Sequence, residues 1–211
     1  SSKLSFQHIE SSVRKYYESV LAEYGDTPKG VNWSNADTQQ IRFDVLCGIA
    51  DLSGNRVHDL GCGLAHLHDY LEKRKINCDY IGSDLSEKMI TTAISRLGDR
   101  VSLYTDNIMN HSADWMQADY VLNSGIFTVQ NDISDAEWWD YICATIKRMF
   151  ELSNKGIAFN LMSHFVDYQD NHLYYANPSR VLDFCVKELS RSVIIRHDYP
   201  LYEFTTYVYK T

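Results

Sequence analysis

The stretch Val57-His58-Asp59-Leu60-Gly61-Cys62-Gly63-Leu64-Ala65 decides the fold class. Arg56 to Leu60 reads as a short apolar strand ending in glycines, and a helical pattern follows at once. A strand that feeds a glycine turn into a helix is the first unit of a nucleotide-binding α/β sheet. Glycines let the backbone approach a ligand closely, and the helix start offers free N–H groups.

After this stretch strands and helices alternate. Strands are predicted over Arg56–Leu60, Cys78–Ser83, Val101–Thr105, Ala118–Asn123 and Gly156–Met162. Helices are predicted over Leu64–Lys75, Ser86–Leu97 and Ser134–Leu152, the last opened by a Ser134/Glu137 capping box. Such alternation predicts a parallel sheet with helices on both faces. Segment 163–176 reads as a polar, aromatic loop. Asn177-Pro178 then starts a helix to about Leu189, and Ser192–Arg196 and Glu203–Tyr209 form an antiparallel pair. Before the sheet, Phe6–Tyr24 and Ala36–Leu52 carry helical apolar stripes. One domain over 1–211 is expected, with 1–53 as a helical cap and 54–211 as the cofactor-binding core.

The acids around the glycine turn narrow the ligand. A dinucleotide fingerprint wants a third glycine at position 66, where this chain has His66. Asp59, two residues before Gly61, would repel a pyrophosphate. A ligand carrying an amino group and a sulfonium would welcome that charge, which favours S-adenosylmethionine over NAD. Asp84 ends the second strand, where an acid can hold both ribose hydroxyls.

Composition excludes other classes. Apolar residues make up 45% and charged residues 23% of 211 residues, as in globular proteins. A net charge of −8 disfavours a nucleic-acid partner, and Lys73-Arg74-Lys75 and Lys147-Arg148 read as solvated helix faces. Five cysteines without a CxxC pair speak against a disulfide framework or a structural zinc. His66-Leu67-His68 is no metal pair, because residues two apart on a helix diverge. No apolar run of spanning length or signal core occurs, so a cytoplasmic chain without membrane partners is expected.

Four motifs in order give a family resemblance, from about Arg56 to the C-terminus. His58–Gly63, Ile81–Ile90, Asp106 and Ala118–Gly125 resemble the successive motifs of class I S-adenosylmethionine-dependent methyltransferases. The resemblance implies a Rossmann-like three-layer sandwich with a mostly parallel seven-stranded sheet, order 3-2-1-4-5-7-6, strand 7 antiparallel. It places Asp59 and Gly61, Cys62 and Gly63 by the methionine part. Asp84 binds the ribose, and Leu85 and Met89 flank the adenine. Asp106 accepts from the adenine amino group, with Asn107 and Ile108 beside it. Asn123 and Ser124 lie below the sulfonium. Ala65 stands where the family often has a third glycine. S-adenosyl-L-homocysteine is the implied product.

The acceptor is then expected to be a small molecule under a Tyr-rich lid. Tyr17, Trp33, Tyr168, Tyr175, Arg196 and Tyr199 are the candidate contacts. His164, just after the fifth strand, is the candidate general base, ahead of His197. Without the Asn-Pro-Pro-aromatic run of enzymes acting on amide or base nitrogens, oxygen is favoured over an amine nitrogen. A Rossmann oxidoreductase and a non-catalytic cofactor-binding module stay as alternatives.

Overall fold

A computed structural model of the chain describes residues 6–27 and 35–211. Among these residues eight strands form one sheet. They are β1 (Arg56–Leu60), β2 (Asp79–Asp84), β3 (Ser102–Thr105), β4 (Ala118–Asn123), β5 (Ser153–Ser163), β6 (Tyr175–Ala176), β7 (Val193–Arg196) and β8 (Glu203–Tyr209). The order is β3-β2-β1-β4-β5-β8-β7, with β8 antiparallel to both neighbours. This is the expected order, β7 and β8 being the sixth and seventh principal strands.

The helices are α1 (Gln7–Tyr24), α2 (Ala36–Leu46), α3 (His66–Lys73), α4 (Glu87–Leu97), α5 (Asp135–Glu151) and α6 (Pro178–Glu188). Their starts follow local chemistry. Ser86 accepts from the Met89 N–H, Ser134 from the Glu137 N–H and Asn177 from the Ser179 N–H, each as an N-cap.

Strand alternation splits the core in two. Val121, Ile157, Phe159 and Leu161 face the layer of α1, α5 and α6, where Trp138 and Ile142 are fully buried. Tyr120, Leu122 and Ala158 face the layer of α2, α3 and α4, with Leu46, Leu67, Leu71 and Ile90.

Three expectations are corrected. First, α2 stops at Leu46, and a short 3-10 turn over Cys47–Ile49 follows. Second, α3 starts at His66 rather than Leu64, because Ala65 takes the left-handed conformation (φ 62°, ψ 34°). Third, segment 163–176 is not all loop. β4 stops pairing with β5 at Asn123↔Phe159, and β6 takes over that edge at Met162↔Tyr175. The chain between β5 and β6 is thereby held over the end of β4. No helix among the described residues is long and apolar enough to cross a membrane.

Candidate active site

The carboxyl ends of β1 to β4 open into a cavity of about 400 Å³. Its floor is the turn after β1. Gly61 has φ +68°, and a Cβ there would stand 2.3 Å from Ile126 Cγ2, so only glycine fits both the conformation and the space. The Cys62 N–H donates to the Ser83 carbonyl at 2.9 Å, tying the turn to β2. Cys62 itself is buried, and burial pushes its thiol well above the ordinary range, so it packs rather than reacts.

Asp84 closes the turn from the other side. One carboxylate oxygen accepts the Gly63 N–H at 2.9 Å and the other the Ser86 N–H at 2.9 Å. Burial raises its pKa, and these two bonds hold it back. Asp59 is buried deeper, 4% exposed, and takes a 2.5 Å bond from the Tyr80 hydroxyl. Burial pushes its carboxyl up to about 7, with the nearby Asp84 charge adding to the rise and Tyr80 opposing it. The cavity thus has a strongly acidic end whose proton is poised near neutrality.

The side walls come from loops after the strands. The Asp106 N–H donates to the Asp84 carbonyl at 3.1 Å, and its carboxylate accepts the Asn107 N–H at 2.7 Å. Leu85, Met89, Asn107 and Ile108 line the same wall, and Ser124 and Gly125 line the end of β4. Asn160, on β5, shapes that end. Its amide oxygen accepts the Gly125 N–H at 2.8 Å and its nitrogen donates to Ser124 Oγ at 3.1 Å.

The roof is α1. Glu10, Val13, Arg14 and Tyr17 share one helix face over the cavity. Asn107 donates to Glu10 at 2.7 Å, the Tyr17 hydroxyl donates to the Gly125 carbonyl at 3.2 Å, and the Ser86 hydroxyl donates to Glu18 at 2.8 Å. One helix therefore clasps the loops after β2, β3 and β4. From α2, Gln39, Arg42 and Phe43 join the wall. Arg42 pairs with the buried Glu203 of β8 at 2.8 Å.

Several residues singled out from sequence stand elsewhere. Asn123 is fully buried, off the wall, with its amide nitrogen on Met149 Sδ at 3.5 Å. Tyr168 is 76% exposed. Tyr175 lies in β6, its hydroxyl accepting the Asp170 N–H at 3.0 Å. Arg196 forks onto Asp198 at 3.1 and 3.3 Å, and the Tyr199 hydroxyl bonds the Thr205 hydroxyl at 2.8 Å. His164 is pulled off the wall: its N–H donates to the Ala176 carbonyl at 2.9 Å beside β6, and its ring packs on Phe165. His197 bonds Ser163 Oγ at 2.7 Å, also off the wall. Trp33 lies outside the described residues. Among the described residues no cluster of three metal-ligating side chains exists.

Other wall residues carried no motif. Glu10 and Arg14 share Tyr17's helix face, a periodicity that could have named them. Asn160, which is off the wall but bonded to Gly125 and Ser124, is a polar break in an apolar strand. Asp170, His172 and Leu173 reach the wall only because β6 returns the chain over β4.

A family model described as a methyltransferase domain matches residues 57–151. The chain is 39% identical over 156 residues to a Mycobacterium tuberculosis protein with the provisional name methyltransferase Rv1506c, covering 73% of this chain and 92% of that one. Two solved structures share the fold. Magnesium protoporphyrin IX methyltransferase from Synechocystis, with bound S-adenosylhomocysteine, gives a TM-score of 0.67 at 16% identity, over 96% of this chain and 100% of that one. A Burkholderia thailandensis 1,6-didemethyltoxoflavin-N1-methyltransferase gives 0.66 at 15%, over 97% and 90%.

Proposed function

This chain belongs to the class I S-adenosylmethionine-dependent methyltransferases, and from that premise we propose that it methylates a small molecule, at oxygen in preference to an amine nitrogen. The carrying observation is the set of three carboxylates, Asp59, Asp84 and Asp106, at the ends of successive strands lining one cavity.

The cavity fits the methyl donor on its own chemistry. The Gly61 turn leaves a cradle in which a Cβ has no room. Asp84 retains lone pairs for two ribose hydroxyls, and its anchoring N–H bonds pre-set its orientation. Asp59 supplies an anion for the ammonium of the methionine part. Asp106, Asn107 and Ile108 receive the adenine, with Leu85 and Met89 on its faces. Gly63 and Cys62 lie along the methionine path, and Ser124 marks the reactive end.

The bound donor supplies a methyl group already activated on a sulfonium. The chain's residues then align the acceptor and exclude water, which can supply most of the acceleration. The roof face of α1 and the Phe43 side of α2 close over that end. The acceptors in the names of the two structural relatives, a porphyrin and a toxoflavin precursor, are small molecules, in keeping with an enclosed pocket.

Calorimetry with S-adenosylhomocysteine tests the proposal. Saturable micromolar binding is expected; no heat at millimolar ligand in a folded sample would refute it.

A further inference from the structure

Two histidines line the cavity, His66 and His172. Both ring nitrogens of His66 are engaged, Nδ1 with Gln39 at 3.2 Å and Nε2 with Asp26 at 3.0 Å. The ring of His172 is bonded by no described residue. Its backbone, in contrast, is firmly held. The His172 carbonyl accepts the N–H groups of Gln130 at 2.9 Å and Asn131 at 3.0 Å. Leu173 bridges to Val129, and the Tyr174 N–H donates to the Thr128 carbonyl at 2.9 Å. The Tyr175 hydroxyl holds the Asp170 N–H, closing the segment from its other end. The segment is stitched to the loop after β4, the same loop that brings Ser124, Ile126 and Thr128 to the cavity. A free, proton-accepting ring on a fixed backbone is what a general base requires.

We infer that His172 is the group that takes the proton from an acceptor hydroxyl, a role resting on the reading that a methyl donor occupies this cavity. As the acceptor oxygen bonds the methyl carbon, the carbon–sulfur bond breaks and its electron pair stays on sulfur. The hydroxyl proton passes to a ring nitrogen of neutral His172, giving the imidazolium. Because His172 is exposed, the proton then leaves to solvent. The apolar side chains of Ile126, Met162 and Leu173, which line the same cavity, suit an acceptor with an apolar body. The charged groups that line the same cavity are Asp170 on its own segment, Glu10 and Arg14 on α1, Arg42 on α2, and Asp59, Asp84 and Asp106 at the strand ends.

The test needs no identified acceptor. Histidine rings labelled with carbon-13 are titrated by NMR in the complexes with S-adenosylhomocysteine, which is neutral at sulfur, and with S-adenosylmethionine, which is cationic there. His172→Gln assigns the His172 signal by its loss. A unit charge within about 7 Å lowers an imidazole midpoint by roughly half a pH unit in full solvent, and by more where water is excluded. The expected result is a His172 midpoint lower by at least that much in the S-adenosylmethionine complex, with His164 and His197 unmoved. Equal His172 midpoints in two saturated complexes overturn the inference, as does a shift at His164 in its place. Failure of both ligands to bind removes the methyl-donor reading and this inference with it; binding without a His172 response overturns this inference alone.

Discussion

The carboxylate of Asp84 accepts the backbone N–H of Gly63 at 2.9 Å, joining the end of β2 to the glycine turn after β1. The acid proposed to hold the ribose is therefore also a brace of the turn on which the rest of the ligand lies. Asp84→Ala removes both roles. S-adenosylhomocysteine affinity is expected to fall by roughly 2–3 kcal/mol, as for loss of charge-assisted bonds. Asp84→Asn, which keeps an acceptor oxygen, should lose less. Calorimetry on both variants decides it, and unchanged affinity in Asp84→Ala refutes the assignment.

Asp59 carries a pH dependence. In the folded chain it stays protonated up to about pH 7, whereas an unfolded aspartate ionises near pH 4. Its contribution to stability is therefore full below about pH 4 and is lost as pH rises through about 7. An ammonium placed beside it favours the ionised form, so binding should release a proton near pH 6. S-adenosylhomocysteine affinity is expected to rise from pH 5.5 to 8, with proton release visible as a buffer-dependent heat. Asp59→Asn should flatten both effects; a steep profile surviving in that variant would assign the dependence to another group.

The turn itself offers opposed substitutions. Gly61→Ala places a methyl in the left-handed region and 2.3 Å from Ile126 Cγ2. A loss of about 1–3 kcal/mol is expected in denaturant melts. Adding Ile126→Ala relieves the clash but not the backbone, so recovery should be partial. At Ala65 the native residue already bears the left-handed strain (φ 62°). Ala65→Gly is expected to stabilise by up to about 1 kcal/mol, the strain relief outweighing the added freedom of the unfolded chain. A lower melting temperature in Ala65→Gly would contradict the strain.

Arg42 and Glu203 tie α2 to β8 at 2.8 Å, with Glu203 only 4% exposed. Burial pushes the Glu203 carboxyl up, and Arg42 draws it back. Arg42→Ala strands that buried acid, at a cost of about 3–5 kcal/mol. Arg42→Met with Glu203→Leu removes both charges and should cost markedly less. Urea melts of the two variants compare them, and equal losses would show that packing, not the stranded charge, dominates.

The motif residues were legible because each is local. Asp59 and Asp84 stand at the ends of their strands and Gly61 and Asp106 directly after them, and the strand-turn-helix order is written in short-range periodicity and glycine placement. Ser86, Ser134 and Asn177 announced their helices in the same way, each satisfying a bond a few residues on. Ala65 shows the limit: alanine favours helix, yet the turn holds it left-handed, and α3 starts at His66, two residues later than expected.

Apart from Tyr17, which lines the roof, the residues named for the acceptor side do not line the cavity among the described residues, and the reason is range. His164 directly follows β5 and so looked close to the reacting end. The two residues of β6 pair with the last two of β5, draw His164 onto Ala176, and send His172 to the cavity instead. No pattern in a two-residue strand could announce that. Likewise Arg196 and Tyr199 have polar chemistry that suits a ligand, but Asp198 and Thr205 already occupy it.

The sequence alone thus determined the α/β class and the acids around the glycine turn, because those rest on contacts between neighbours in the chain; the strand order followed only from the family resemblance, since it rests on pairings such as β1 with β4 and β5 with β8. Tertiary structure decided which helix face forms the roof, which histidine meets the cavity and which tyrosines are spent on internal bonds. Those outcomes depend on pairings such as Tyr17 with Gly125 or His172 with Gln130, between segments that only the closed sheet brings together.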